Sequence, residues 1–294
     1  YKEGDIGNHM YFINSGIIEV TTKDGSSARR HQGDFFGEGA LLHPKSIRSA
    51  TIQCVTPIHA IQISRAYFEK LAASSGLTLQ LKEKDRTRKR NRAKTILRLQ
   101  KNLKHLKIDK GEILFNKGDD ADGLFIVEEG KIEVFVDSKK VFCAHPGDLV
   151  GEHSLVMARP RNTTARCTMS DGCVVLEMKA RDFYELYNSS SQIKNSLREV
   201  CYRREFQKAL VKKTNKEFPD VQDLRQVFDA ADLDKSGVLL IDEVTDILKS
   251  FDPSMTEEEI KDTVISLDLD NSGRISFDEF KIIFGMNEAR AASI

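Results

Sequence analysis

Two stretches of this chain pair a Gly-Glu dipeptide with a nearby arginine. Residues 33–52 read GDFFGEGALLHPKSIRSATI and residues 147–165 read GDLVGEHSLVMARPRNTTA, so Gly37 and Glu38 precede Arg48, and Gly151 and Glu152 precede Arg161. Glycine lets the backbone approach a ligand closely. A carboxylate accepts a hydroxyl proton, and arginine pairs with anionic oxygens through charge-assisted hydrogen bonds. That combination suits a small ligand carrying both a hydroxyl and a phosphate. A second chemistry lies further along, where residues 232–243 read DLDKSGVLLIDE and residues 268–279 read DLDNSGRISFDE. Closely spaced Asp, Ser and Glu oxygens suit a hard divalent cation that takes six to eight oxygen ligands.

The arginine motifs are part of a longer repeat. GDIGNHMYFINSGIIEV (residues 4–20) aligns with GDDADGLFIVEEGKIEV (residues 118–134). Gly4 pairs with Gly118, Gly16 with Gly130, Glu19 with Glu133 and Gly37 with Gly151, all offset by 114, and the offset is 113 at the arginines. A register held over so many positions marks a duplicated structural unit. Within the first copy, MYFI, IIEV, TIQCV and IHAIQI are short apolar runs broken by turn signals, and RAYFEKLAA (residues 65–73) follows with helical character. The second copy repeats the order with FIV, KIEVFV, TARCTM, CVVLEM and the helical ARDFYELY (residues 180–187). Closely spaced strands of this kind predict an all-β roll or barrel.

The 294 residues, 40% of them hydrophobic, suffice for two or three domains. No apolar run approaches the roughly 20 residues of a membrane helix, and the chain begins with Tyr-Lys-Glu, read here as a fragment of something longer. The five cysteines contain no CxxC pair and read as reduced thiols of a cytosolic protein. Net charge is zero, yet residues 215–294 carry about 19 acidic against about 8 basic side chains. Much of the balancing charge lies around Arg86, Arg88, Lys89, Arg90, Arg92 and Lys94.

Both repeats resemble the cyclic nucleotide-binding domain family, whose phosphate-binding cassette reads FGE-x-A-L…R-[ST]-A. The likeness covers about residues 1–75 and 108–190, with the first copy lacking its opening strand and N-terminal helices. A cyclic phosphodiester is a single anion that backbone N–H groups at a helix start can cradle. The resemblance implies that Gly37, Glu38, Ala40, Arg48 and Ser49 bind one nucleotide, and Gly151, Glu152, Ser154, Arg161 and Asn162 a second. Each arginine would take the phosphate and each glutamate the ribose 2′-OH. Ser49 is compatible with cGMP without excluding cAMP. Asn162 departs from the Ala, Thr or Ser usual after the arginine, which leaves the preference of the second site open.

The acidic loops match the twelve-residue EF-hand pattern D-x-[DNS]-x-[DNS]-G-x5-E. Their Ca2+ ligands would be Asp232, Asp234, Ser236, the Val238 carbonyl and Glu243, then Asp268, Asp270, Ser272, the Arg274 carbonyl and Glu279. Gly237 and Gly273 permit the sharp turn, and Leu239 and Ile275 are placed to pair the loops. Thr256 and Glu259 form a capping box. Position nine is Leu240 in the first loop and Ser276 in the second. Leucine cannot hold a bridging water, so the first site is expected to be the weaker.

Two helical stretches connect these modules. Residues 82–107 are predicted as one long basic helix, and residues 192–213 as a second helix with Arg203, Arg204, Lys208, Lys212 and Lys213 beside Val200, Phe206 and Leu210. A break is expected at 217–220. The second helix has three open readings: docking in the groove of the EF-hand pair, capping the base of the second nucleotide through Tyr202 or Phe206, or plain packing with a solvated basic face. The run 86–94 lacks interleaved aromatics, which argues against nucleic acid as a partner.

The expected architecture is therefore α+β and multidomain: a nucleotide domain over 1–81, a connector at 82–107, a second nucleotide domain over 108–190, a linker at 191–218, an all-α EF-hand pair over 219–287 and a tail at 288–294, with jelly-roll-like β-rolls in the first two domains. The functional expectation is a cytoplasmic, non-catalytic sensor that binds cAMP or cGMP at two sites and Ca2+ at two loops, relaying both to an effector. Three other readings stand beside it: the cytosolic region of a cyclic nucleotide-gated channel, the regulatory region of a cyclic nucleotide-dependent kinase, and a calcium-binding scaffold with inactive nucleotide sites.

Overall fold

The computed structural model describes residues 1–23, 25, 27–42, 47–74, 77–214 and 221–285. The break expected at 217–220 and the tail at 288–294 lie outside them. The chain divides into two units, Tyr1–Asp85 and Arg86–Ile294.

The first unit contains β1 (His9–Ser15), β2 (Ile18–Thr21), β3 (Ser27–Arg30), β4 (Phe35–Phe36), α1 (Gly39–Leu42), β5 (Thr51–Cys54), β6 (His59–Ser64) and α2 (Arg65–Ser74), and α3 (Leu77–Arg98) begins in it. Its strands form two antiparallel sheets, ordered β4-β1-β6 and β3-β2-β5. Met10 and Ile13 of β1, three residues apart and so on opposite faces of the strand, are both buried, each in its own cluster. Met10 packs with Leu41, Phe68 and Leu81, while Ile13 packs with Ile18 and Phe36.

The second unit opens its β part with β7 (Lys104–Ile108), β8 (Ile113–Phe115), β9 (Gly123–Glu129), β10 (Ile132–Val136), β11 (Lys139–Ala144) and β12 (Leu149–Val150). Then come α4 (Glu152–Val156), β13 (Thr164–Cys167), β14 (Cys173–Lys179), α5 (Ala180–Ser189) and α6 (Ser191–Thr214). The sheets are ordered β12-β9-β14-β7 and β11-β10-β13-β8. Each repeats a sheet of the first unit and adds one edge strand, β7 or β8. The duplication read in the sequence is thus a duplication of topology. The strands lie in separate sheets, so the coarse α+β architecture holds while a closed roll is not what the hydrogen bonding describes.

The connector differs from the single helix expected over 82–107. Helix α3 starts earlier and ends at Arg98, and Lys104–Ile108 pair with β14 from Ile108↔Cys173 to Lys104↔Glu177. The sequence KHLKI alternates, with Leu106 half-buried and Ile108 buried. A period of two facing an available strand edge outweighs the helical spacing of the leucines.

The chain ends its described part with α7 (Val221–Ala231), β15 (Val238–Leu239), α8 (Ile241–Phe251), α9 (Glu257–Leu267), β16 (Ile275–Ser276) and α10 (Phe277–Gly285). β15 and β16 join the two acidic loops through Leu239↔Ile275. The Thr256 hydroxyl accepts from the Glu259 N–H at 3.2 Å and the Glu259 carboxylate accepts from the Thr256 N–H at 2.8 Å, which caps α9.

Within the second unit, α6 feeds three cores. Ile193 and Leu197 pack with Leu97, Phe183 and Tyr187. Val211 joins the core of the second β domain. Phe206, Ala209 and Leu210 lie in one cluster with Phe228, Ile247, Leu248, Val264, Phe280 and Phe284 of the helical pair. Helix α3 is tied to the same unit by Lys94, whose Nζ donates to Asp148 Oδ1 at 2.7 Å. Burial alone would raise the Asp148 carboxyl, but the charge and hydrogen bond of Lys94, with Arg204 and the His145 N–H, hold it below the usual carboxylate value. Replacing Lys94 with methionine removes the ion-pair partner of that buried carboxylate and is expected to cost about 3 kcal/mol at neutral pH. The penalty shrinks as pH falls through the native Asp148 pKa, which lies below the ordinary aspartate value. Urea denaturation of both proteins across pH measures both effects.

Candidate functional site

In the first cassette, Gly37 follows β4 with φ of 81°. Arg48 is 5% exposed and its Nη1 donates to the Gly37 carbonyl at 2.9 Å. A Cβ on Gly37 would stand 2.5 Å from that nitrogen, so the position requires glycine for both conformation and space. The Arg48 guanidinium lies 4.1 Å from the centroid of the Tyr1 ring. Glu38 is buried at the head of α1, where the Leu41 and Leu42 N–H groups donate to its carbonyl. Ala40 is buried in the same turn, and Ser49 Oγ would lie 3.6 Å from a Cβ on Gly39.

The second cassette has the same construction. Gly151 has φ of 84°, and Arg161 Nη1 and Nη2 donate to the Gly151 and Gly123 carbonyls, each at 2.5 Å. The Arg161 guanidinium stands 4.4 Å from the Phe115 centroid. Glu152 and Ser154 are buried in α4, and Ser154 Oγ donates to the Pro160 carbonyl at 3.4 Å. In both cassettes the arginine Nε is buried and has no hydrogen-bond partner. A buried cationic donor left over beside a left-handed glycine and a buried carboxylate fits an anion that also carries a hydroxyl. The residues present therefore fit a cyclic nucleotide.

The second cassette is covered by α6. Arg204 Nη1 donates to Glu152 Oε1 and, at 3.0 Å, to the Leu149 carbonyl. Asn162 Nδ2 donates to both oxygens of Glu205 at 3.1 and 3.2 Å, and Lys208 Nζ donates to Asn162 Oδ1 at 3.0 Å. His153 Nε2 stands 2.7 Å from Glu205. Burial would raise the Glu205 carboxyl, yet the charges and hydrogen bonds of His153 and Lys208 hold it well below the usual carboxylate range. A larger space of about 380 Å³ lies among His153, Arg159, Pro160, Asn162, Lys212 and Phe251, but at Glu152 itself the cavity is about 30 Å³, bounded by Phe115, Val134, Glu152, Arg204, Gln207 and Lys208. That is room for roughly one or two waters.

The aromatic residues considered for capping a nucleotide base point the other way. Phe206 is fully buried in the core of the helical pair, 6.3 Å from Phe284 between centroids, and the Tyr202 hydroxyl donates to Asp262 at 2.9 Å. Tyr202, Phe206 and Leu210 recur every four residues on one face, whereas Arg204 and Lys208 share another. The side toward the cassette is therefore polar. Glu205 and His153, absent from the sequence reading, are the residues that organise it. Their signals were a lone acid within a basic run and a histidine where the first copy has Gly39.

The acidic loops each gather three carboxylates. Oxygens of Asp232, Asp234 and Glu243 lie within 4.8 Å of one another, as do those of Asp268, Asp270 and Glu279. The Ser236 and Gly237 N–H groups orient Asp232 at 3.0 and 2.9 Å, and Ser272 and Gly273 do the same for Asp268 at 3.1 and 2.8 Å. Ser236 Oγ donates to the Val238 carbonyl at 3.0 Å, and Ser272 Oγ to the Arg274 carbonyl at 3.2 Å. Glu279 is fully buried and Glu243 nearly so. Two buried carboxylates and one exposed one converging on a point suit a hard divalent cation, so the residues fit Ca2+.

Basic residues outside the cassettes also have acidic or carbonyl partners in the second unit. Arg86 Nη1 donates to the Ser266 carbonyl at 2.7 Å, at the negative end of the α9 dipole. Arg90 pairs with Glu199 at 3.1 Å. From the cassette loop, Arg159 pairs with Asp252 at 2.9 Å and Glu259 at 2.8 Å. The basic run thus faces protein rather than an open surface.

Comparison with known proteins decides the family. The model of the cyclic nucleotide-binding domain matches residues 1–75 and 105–190, more than half of the chain. The chain belongs to the cyclic nucleotide-binding domain family. The model of the EF-hand domain pair matches residues 221–285. Both cyclic nucleotide-binding domains and the EF-hand pair are binding modules rather than enzymes.

A Drosophila melanogaster cGMP-dependent protein kinase is 26% identical over 242 residues, covering 77% of this chain and 21% of the kinase. The type II regulatory subunit of the Drosophila melanogaster cAMP-dependent protein kinase is 28% identical over 186 residues, covering 57% of this chain and 46% of the subunit. This chain thus spans less than half the length of either relative. Among solved structures, the regulatory domain of Toxoplasma gondii PKA with cAMP shows 22% identity and a TM-score of 0.31, covering 67% of this chain and 78% of that one. The regulatory subunit of a cAMP-independent protein kinase A from Trypanosoma cruzi, bound to guanosine, shows 18% identity and a TM-score of 0.34, covering 74% and 82%. Among the described residues no helix is long and apolar enough to cross a membrane.

Proposed function

We propose that this chain is the regulatory region of a cyclic nucleotide-dependent protein kinase that also reads Ca2+. Arg48 and Arg161 take the cyclic phosphate, Glu38 and Glu152 the ribose hydroxyl, and Ser49 and Asn162 lie nearest the base. The EF-hand pair grips α6 and takes Ca2+ at Asp232, Asp234, Ser236, Val238 and Glu243, and at Asp268, Asp270, Ser272, Arg274 and Glu279. The observation that carries this reading is α6, with Arg204 on the ribose-binding carboxylate and Phe206 in the EF-hand core. One helix thereby links both ligands. The kinase as effector rests on the relatives, which include a cGMP-dependent kinase and a cAMP-dependent kinase regulatory subunit. Nucleotide-dependent phosphotransfer by the full-length protein is its test.

For the ligands themselves, thermal unfolding with cAMP, cGMP or Ca2+ is the direct measurement. Saturation at about 100 times Kd stabilises a site by about 2.7 kcal/mol, which raises Tm by roughly 5–10 °C for the second unit and by roughly 10–20 °C for the smaller first one. No shift with either nucleotide removes the nucleotide reading. A shift with Ca2+ alone leaves the calcium-binding scaffold.

A further inference from the structure

We infer that Ca2+ and cyclic nucleotide oppose one another at the second nucleotide site. This rests on the proposed sensor function and gives the coupling its sign. Three observations carry it. The cavity at Glu152 is about 30 Å³ and Arg204 of α6 already occupies that carboxylate, while the larger space beside it, lined by His153, Pro160 and Asn162, does not reach Glu152 or Arg161, so a nucleotide engages Glu152 only if α6 gives up that contact. The opposite face of α6 is held by the EF-hand pair, through Phe206 and Leu210 in its core and through Arg203, whose Nε donates to the Ser266 carbonyl at 3.1 Å. Finally, the arrangement that grips α6 is the one in which each acidic loop has its three carboxylates within 4.8 Å.

The mechanical link is short. Ser266 lies two residues before Asp268, the first ligand position of the second loop, and Glu243 and Glu279 lie at the starts of α8 and α10. A Ca2+ ion tying each loop together fixes the angles of the four helices around Phe206. It therefore favours the state in which α6 lies on the cassette. A ligand shifts an equilibrium only by its differential affinity for the two states. Ca2+ favours α6 down, and nucleotide at Glu152 and Arg161 favours α6 displaced. The cassette loop is tied to the EF-hand pair directly as well, through Arg159 with Asp252 and Glu259, so displacement also disturbs that contact.

The test uses the whole chain carrying Arg48→Ala, which confines nucleotide binding to the second site. Calorimetric titration with cAMP and cGMP is run in Ca2+ and in chelator, and Ca2+ is titrated with and without saturating nucleotide. The expected result is nucleotide affinity weaker by about tenfold in Ca2+, within the usual range of coupling between sites. Linkage requires Ca2+ affinity to fall by the same factor when nucleotide is bound. In protein that also carries Glu243→Gln and Glu279→Gln, Ca2+ no longer changes nucleotide affinity. Equal or tighter nucleotide binding in Ca2+, with both ligands bound, overturns the antagonism and leaves the sensor reading intact. Absence of nucleotide binding in both conditions overturns the second site itself, and the inference with it.

Discussion

Replacing Arg48 or Arg161 with alanine is expected to weaken cyclic nucleotide binding at that site by at least about 100-fold. Hydrogen bonds to a charged group contribute about 1.5–3 kcal/mol each, and a guanidinium can offer two to one phosphate. Losing both costs roughly 3–6 kcal/mol, which is about two to four powers of ten in Kd. Calorimetry on the two single variants separates the sites, because each retains the other. The arginines also hold carbonyls of their own cassettes, Gly37 for Arg48, and Gly151 and Gly123 for Arg161. The alanine variants therefore lose some stability as well as affinity. Lysine variants separate the two effects: they keep the charge without the planar fork and are expected to bind with intermediate affinity. If both alanine variants bind as tightly as the parent protein, the cassette arginines do not hold the phosphate.

The parts of this architecture legible in the sequence are those set by local pattern. Short apolar runs rich in Val, Ile, Tyr and Phe, broken by turn signals, mark β1, β2, β5 and β6, and again β9, β10, β13 and β14. The constant spacing of Gly16 and Gly130, or Gly37 and Gly151, exposed the duplication, because these backbones need positive φ at the same places. Strands β4 and β12 are two residues long, too short for any period to register. Around β7 the sequence pattern favours helix, because Leu103 and Leu106 also suit a helical face. Only the edge of β14, distant in sequence, decides between them.

The candidate sites divide the same way. The cassette and loop residues were legible because each lies within about 15 residues of its companions. What α6 does was not, because its faces are assigned by partners more than 40 residues away: Arg204 by Glu152, Tyr202 by Asp262 and Phe206 by Phe284. A basic amphipathic pattern predicts that such a helix packs against something. It does not say that two different modules take opposite faces. Burial resolves this. Glu205 and Lys208 are both buried, which a solvated basic face would not permit.

The calcium loops give the second large effect. Glu279→Gln is expected to weaken the tighter Ca2+-binding step by about 100-fold, equivalent to about 2.7 kcal/mol, and Glu243→Gln to weaken the other step. Both changes delete one negative charge from a bidentate ligand position, so the difference lies in position nine. Ser276 Oγ donates to Glu279 Oε2 at 2.8 Å and accepts from the Glu279 N–H at 3.3 Å, which pins the carboxylate before any ion arrives. Leu240 offers only its backbone N–H to Glu243, at 2.9 Å, and its side chain has no oxygen to hold a bridging water. Glu243 is therefore less preorganised, and Leu240→Ser is expected to tighten the first site severalfold. Loss of the tighter step in Glu243→Gln contradicts the ordering. The order matters for coupling because the second loop begins at Asp268, two residues past the Ser266 carbonyl that holds Arg203 of α6 and Arg86 of α3. The site expected to fill first is the one whose backbone touches the helix covering the second cassette. Rising Ca2+ then reaches α6 through Glu279 before it reaches it through Glu243.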